Sequence, residues 1–197
     1  MIKPLSGFIV SYLIRVGAIK NTKDDQEYYQ YGVEITISSL LNIILIIGLG
    51  IILHKFLFAL VFLIIFISLR QLTGGFHASS YLKCNISMCI VFLFDIYTNE
   101  LFYNNKTLLL FISHLLLSSI IILKCCPIEH INKPIPPQSI GKYKISALLL
   151  SDSLSIIGWI LSINDFELGT FIIMTIISIF ILVIVAMLIR KEDVYES

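Results

Sequence analysis

Two apolar segments, roughly residues 34–53 and 55–73, stand back to back with only His54 and Lys55 marking the joint. Each is about the 20 residues that a helix needs to cross a bilayer. Nothing constrains this chain more. In hydrocarbon every backbone N–H and C=O must be satisfied within the segment, so a run of this length and apolarity becomes a helix rather than a loop or an open strand. Three further segments meet or approach the same length, at about 86–102, 107–123 and 168–189. Another, about 145–163, is interrupted by Ser146, Ser151, Asp152, Ser153 and Ser155.

The expected fold is therefore all-α: a polytopic membrane protein with about six transmembrane helices, preceded by an amphipathic helix at the N-terminus. Composition agrees. The 197 residues are 57% hydrophobic and 14% charged, whereas a soluble domain carries roughly 45–50% apolar and about 25% charged residues. A net charge of +1 with no basic run excludes a nucleic-acid surface. The four cysteines (Cys84, Cys89, Cys125 and Cys126) lie in or beside apolar segments and form no zinc-type CxxC pair. No structural disulfide, metal or cofactor is expected. Pro4, Gly7, Ser11 and Arg15 interrupt the start of the chain, so it does not read as a cleavable signal.

Residues 1–32 are read as an arm. Phe8, Ile9, Tyr12, Leu13 and Val16 recur at helical spacing among Lys3, Arg15, Lys20 and Lys23, which suits a helix lying in the headgroup region of the lipid bilayer. Asp24, Asp25 and Glu27 then read as a polar turn. With six spans, one side of the membrane receives Lys3, Arg15, Lys20, Lys23, Arg70, Lys83, Lys124, Lys133, Lys142, Lys144, Arg190 and Lys191, and the other only Lys55 and Lys106. Lysine and arginine mark the cytoplasmic side. Both termini, and the segment from His77 to Cys84, are thus expected in the cytoplasm of a multi-pass cell-membrane protein. Dropping the serine-rich span would move Arg190 and Lys191 outside and spoil the bias. The whole chain, 1–197, is read as a single membrane-embedded domain.

Two polar islands break the apolar pattern. Residues 124–144, KCCPIEHINKPIPPQSIGKYK, carry Pro127, Pro134, Pro136 and Pro137 and read as an ordered cytoplasmic loop rather than helix. Residues 70–84, RQLTGGFHASSYLKC, gather an arginine, a glycine pair, a histidine and a cysteine. A cysteine attacks carbonyls as its thiolate, and a nearby histidine is the usual activator. On one continuous helix His77 and Cys84 would share a face but stand about 10.5 Å apart along the axis, so contact needs a break between them. Gly74 and Gly75 offer one, and admit close backbone approach. Arg70 has the charge to bind a substrate carboxylate or an internal acid. By spacing alone, a boundary histidine with an inert buried cysteine is the other reading.

This segment resembles the accessory gene regulator protein B (AgrB) family of quorum-sensing peptide processors, whose Arg, Gly-Gly, His and Cys fall on Arg70, Gly74, Gly75, His77 and Cys84. The proline and Asn-Lys-Pro element after the fourth span is similar as well, here Cys126-Pro127 and Asn132-Lys133-Pro134. The resemblance implies a cysteine endopeptidase acting on an AgrD-like precursor peptide. In that scheme Cys84, activated by His77, releases the acidic C-terminal tail and holds the remainder as a thioester. A side chain of the bound peptide then closes a thiolactone or lactone. Arg70, Gly74 and Gly75 would position the substrate. Asn85, Ser79, Ser80 and Asp95 stay open as a third catalytic member. So small a helical membrane protein is compatible with a homodimer.

Other readings were weighed against this one. Asp95 and Asp152 lie inside spans and should face the protein interior or a wet cavity; with His114 they make a small transporter the alternative function. A structural subunit without chemistry is a third reading. His130 with Cys125 and Cys126 forms a second His/Cys cluster, but it lacks the arginine and the glycines.

Overall fold

The computed structural model describes residues 2–19, 22–74, 81–103, 108–128 and 136–195. They form seven helices: α1 (Ile2–Arg15), α2 (Lys23–Ile52), α3 (Phe56–Thr73), α4 (Tyr81–Phe102), α5 (Leu108–Cys125), α6 (Pro137–Ile163) and α7 (Glu167–Tyr195). Among the described residues α2, α3, α4, α6 and α7 are long and apolar enough to cross a membrane. The segment expected to span at 107–123 forms as the 18-residue α5, about 27 Å long at 1.5 Å per residue. The chain is an all-α polytopic membrane protein.

Two boundaries differ from the sequence expectation, each for a local reason. Asp24, Asp25 and Glu27 do not form a turn but the opening of α2, which starts well before residue 34. Thr22 caps it, its Oγ1 accepting from the Asp25 N–H at 3.3 Å, and acids in a first helical turn face the positive end of the helix dipole. The 124–144 loop is likewise shorter than read. Lys124 and Cys125 finish α5, and α6 begins at Pro137, with Pro136 as its cap. A proline blocks the middle of a helix but suits its first position, where the missing N–H has no partner to lose. The serine-rich span is therefore one unbroken helix of 27 residues.

Polarity runs inside out. Ile44, Ile64, Ile90, Leu149 and Ile181 point outward, while Ser38, Asn42, Ser151, Ser155, Thr175 and Ser178 are buried. With lipid as solvent, helices associate through close packing and small or polar interface residues. The α6–α7 hairpin shows this. Gly158 and Gly169 bring the two backbones so close that a Cβ on Gly169 would collide with the Gly158 carbonyl and the Ser162 N–H. Ser162 and Thr170 share a hydrogen bond of 3.1 Å beside them. At the centre, Phe58, Phe62 and Phe66 of α3 meet Phe92 of α4 and Phe171 of α7, with ring centroids 4.9–6.4 Å apart.

The N-terminal helix α1 lies against α2, burying Ser6 and Val10. Leu5, Phe8, Tyr12 and Val16 form an apolar stripe that faces away from the protein. That outward stripe suits a helix seated in the lipid interface.

Candidate active site

Of the candidate residues, Arg70, Gly74 and Cys84 can be followed, at the end of the bundle where α3 stops, the described part of α4 starts and α5 ends. Arg70 sits in the last turn of α3. Its guanidinium lies over the Phe66 ring, 5.4 Å from the centroid, a cation–π contact that holds the side chain in place. The next helix opens at Tyr81, so Cys84 belongs to the first turns of α4 rather than to a connecting loop. Arg70 and Cys84 are within electrostatic reach of each other across the α3–α4 corner. Cys84 is partly buried and free.

Gly74 closes α3 at φ 69° and ψ −152°, a region essentially restricted to glycine. Its N–H donates to the Arg70 carbonyl at 3.1 Å. The space beside it is filled by the backbone of Ile128, which a Cβ would strike. The Ile128 N–H donates to the Thr73 carbonyl at 2.9 Å, so the chain leaving α5 is stitched to the end of α3. Gly74 thus admits a protein strand, where sequence reasoning reserved the space for substrate. Gly75, His77, Ser79, Ser80 and His130 lie outside the described residues, as does Asn132-Lys133-Pro134.

Of the candidates for a third catalytic member, Asn85 and Asp95 can be followed. Asn85 is buried and its Oδ1 accepts from Ser38 Oγ of α2 at 3.0 Å. Asp95 is fully buried in α4, as expected for an acid inside a span. It is tied to α7, with Ser178 Oγ donating to its Oδ1. Cys84 and Asp95 are eleven residues apart on one helix, about 16 Å along the axis, so Asp95 is too distant to orient a group at the sulfur. Asp152 is on α6 and only partly buried. A cavity of about 340 Å³ lies between α1 and α2 and is lined by Gly7, Val10, Ser11, Ile14, Gln26 and Gln30; neither acid borders it.

The second His/Cys cluster is chemically different. Cys126 is buried, and its thiol is pushed up to about 12, first by burial and then by neighbouring Cys125, with Lys144 pulling the other way. Such a group stays protonated at neutral pH and is a poor nucleophile. Lys144 is itself engaged, its Nζ donating to the Leu123 carbonyl at the end of α5 at 2.8 Å.

Sequence reasoning missed Glu34 and Tyr81. Glu34 is buried on α2, and its carboxylate accepts three hydrogen bonds: from Ser6 Oγ of α1 at 3.1 Å, from Gln30 Nε2 at 3.1 Å and from Tyr81 Oη of α4 at 3.0 Å. A signal was present. Glu34, Ser38 and Asn42 recur every four residues in an otherwise apolar run, and all three are buried on the inward face of α2.

Comparison with known proteins shows the family. The family model for accessory gene regulator B matches residues 6–189. A curated accessory gene regulator protein B from Staphylococcus aureus (strain MRSA252) is 28% identical over 140 residues, 70% of this chain and 74% of that protein. One from Staphylococcus intermedius is 25% identical over 119 residues, 60% of this chain and 62% of that protein, less than two thirds of its length. No solved structure matches the chain. The matched region covers α2 to α6 entirely, most of α1 and α7, and the corner that carries Arg70, Gly74 and Cys84, so the chain belongs to the accessory gene regulator B family.

Proposed function

We propose that this protein is a membrane-embedded cysteine endopeptidase that trims and cyclises an AgrD-like quorum-sensing precursor peptide. The reading is carried by the family of the chain, supported by the placement of Arg70 in the last turn of α3 and Cys84 in the first turns of α4. A free thiol beside a guanidinium, at the start of a helix and the edge of a bilayer-spanning bundle, is suited to attack a peptide carbonyl.

In this scheme His77 takes the Cys84 proton. The thiolate sulfur adds to the carbonyl before the C-terminal tail, and His77 returns the proton to the departing amine. The tail leaves with a free N-terminus, and the remainder stays as a Cys84 thioester. A thiol or hydroxyl of the bound peptide then adds to that thioester, closing the ring and restoring the Cys84 thiol. Exchange of a thioester with a thiol is nearly isoenergetic, so excluding water decides between cyclisation and hydrolysis. Arg70 faces the negative charge that forms at the sulfur and at the peptide. The lysine and arginine distribution favours a cytoplasmic location for this end and for both termini.

The test is cleavage of the cognate precursor in reconstituted vesicles by the parent protein, Cys84→Ala and His77→Ala. Both variants should insert normally and release no tail, and a hydroxylamine-sensitive peptide adduct should form only when Cys84 is present. Parent-like cleavage by either variant overturns the assignment.

A further inference from the structure

Two hydrogen-bonded rungs join α2 to α4 on either side of Cys84. Tyr81 Oη donates to Glu34 Oε2 at 3.0 Å, and Ser38 Oγ donates to Asn85 Oδ1 at 3.0 Å. On each helix the partners are four residues apart, so each pair shares a face one turn apart, about 6 Å along the axis. Both rungs also join residues 47 apart in sequence, so the helices run parallel here in fixed register. Cys84 comes three residues after Tyr81 and directly before Asn85. With 100° per residue it lies to one side of the clamped face.

Glu34 binds more than α4. Its other partners are Ser6 of α1 and Gln30 of α2 itself. One carboxylate therefore joins the interfacial helix, the first long span and the helix that carries the nucleophile. Ser6, Gln30 and Tyr81 are all neutral donors to it. A carboxylate is a stronger acceptor than a neutral oxygen, so one side chain ties the three helices at a single point. The first turns of a helix otherwise fray easily, because their N–H groups lack intrahelical partners. Clamping positions 81 and 85 suppresses that fraying where the sulfur must hold its line to a carbonyl.

We infer that Glu34 and Tyr81 are positioning residues, which hold the Cys84-bearing start of α4 in the register the cysteine needs to react. The inference rests on the proposed role of Cys84 as nucleophile. It asks nothing of Glu34 or Tyr81 as proton donors to substrate. Their effect reaches the chemistry through helix placement, and misplacing a reacting group by about 1 Å costs on the order of a hundredfold in rate.

The experiment uses the full chain in lipid vesicles, with Tyr81→Phe, Glu34→Gln, Glu34→Ala and, at the opposite end of α4, Tyr103→Phe as control. Two rates are measured: alkylation of Cys84 by iodoacetamide in a Cys89→Ala/Cys125→Ala/Cys126→Ala background, and cleavage of the precursor by chains retaining all four cysteines. Tyr81→Phe deletes a single oxygen, so it is the variant that decides. The expected result is a roughly tenfold fall in kcat with KM within about twofold and an altered Cys84 alkylation rate. Glu34→Gln should fall between the parent and Glu34→Ala, because the amide keeps one acceptor oxygen, and Tyr103→Phe should match the parent. If Tyr81→Phe keeps parent kcat and parent alkylation rate, the positioning role is overturned. Loss of folded protein without a change in kcat per folded molecule overturns it equally. If alkylation responds as expected but the parent cleaves no precursor, the clamp stands and the peptidase reading falls.

Discussion

The two ends of the helical bundle are built on opposite electrostatic plans. At one end Lys55, just before α3, donates to Glu167 at the start of α7 at 2.7 Å, and Asn99 of α4 donates to the same oxygen at 3.1 Å. Tyr103 closes the edge by donating to the Asp165 carbonyl at 2.8 Å. Cation and anion neutralise each other directly. At the other end the carboxylate of Glu34 is satisfied by hydroxyls and an amide, while the guanidinium of Arg70 lies over the Phe66 ring. One end pairs cation with anion directly. The other holds its carboxylate with neutral donors and its cation against an aromatic face.

Four predictions press on that contrast. The largest effect is expected at Arg70: Arg70→Met should lower precursor cleavage by roughly a hundredfold, comparable to losing one stabilising donor in an active site, while yield and melting temperature stay close to the parent. A loss of folding in step with activity would make Arg70 structural and erase the difference between the ends. Gly74→Ala comes next. It imposes a forbidden backbone region and drives a methyl into Ile128, so thermal unfolding in detergent should report a loss of at least about 2 kcal/mol. An unchanged midpoint would mean that the α3–α5 stitch does not hold the corner.

At the paired end, Glu167→Ala should cost about 1–2 kcal/mol, chiefly because the buried Asn99 amide loses its acceptor. Lys55→Met should cost less than about 1 kcal/mol, since both partners of that ion pair remain partly exposed. Neither change should alter kcat, which vesicle cleavage assays can check. The smallest readout separates the cysteines. Burial raises the Cys126 thiol to about 12, so raising the pH from 7 to 9 leaves it a thiol in the folded protein. A maleimide should then label Cys126 only after denaturation. Labelling of native Cys126 at pH 8 would return the second His/Cys cluster to contention.

Much of this arrangement was legible in the chain. Apolar segments of about 20 residues force helices in lipid, and Asp95 had to turn inward because a carboxylate cannot face hydrocarbon. The outward stripe of Leu5, Phe8, Tyr12 and Val16 follows from their spacing in the same way. The errors were at helix starts. Asp24, Asp25 and Glu27 read as a turn when their charge suits a helix opening, and Pro137 read as a breaker when it opens α6.

Sequence by itself determined the helical membrane architecture and the inward placement of Asp95, because each depends on local composition and period. Tertiary structure alone decided what lies beside what. Ile128 fills the space next to Gly74, 54 residues away in the chain, and Glu34 reaches Tyr81 across 47. Neither contact leaves a periodic trace linking its partners. A hydrogen bond between helices depends on their register and rotation, and those are set by the packing of the whole bundle.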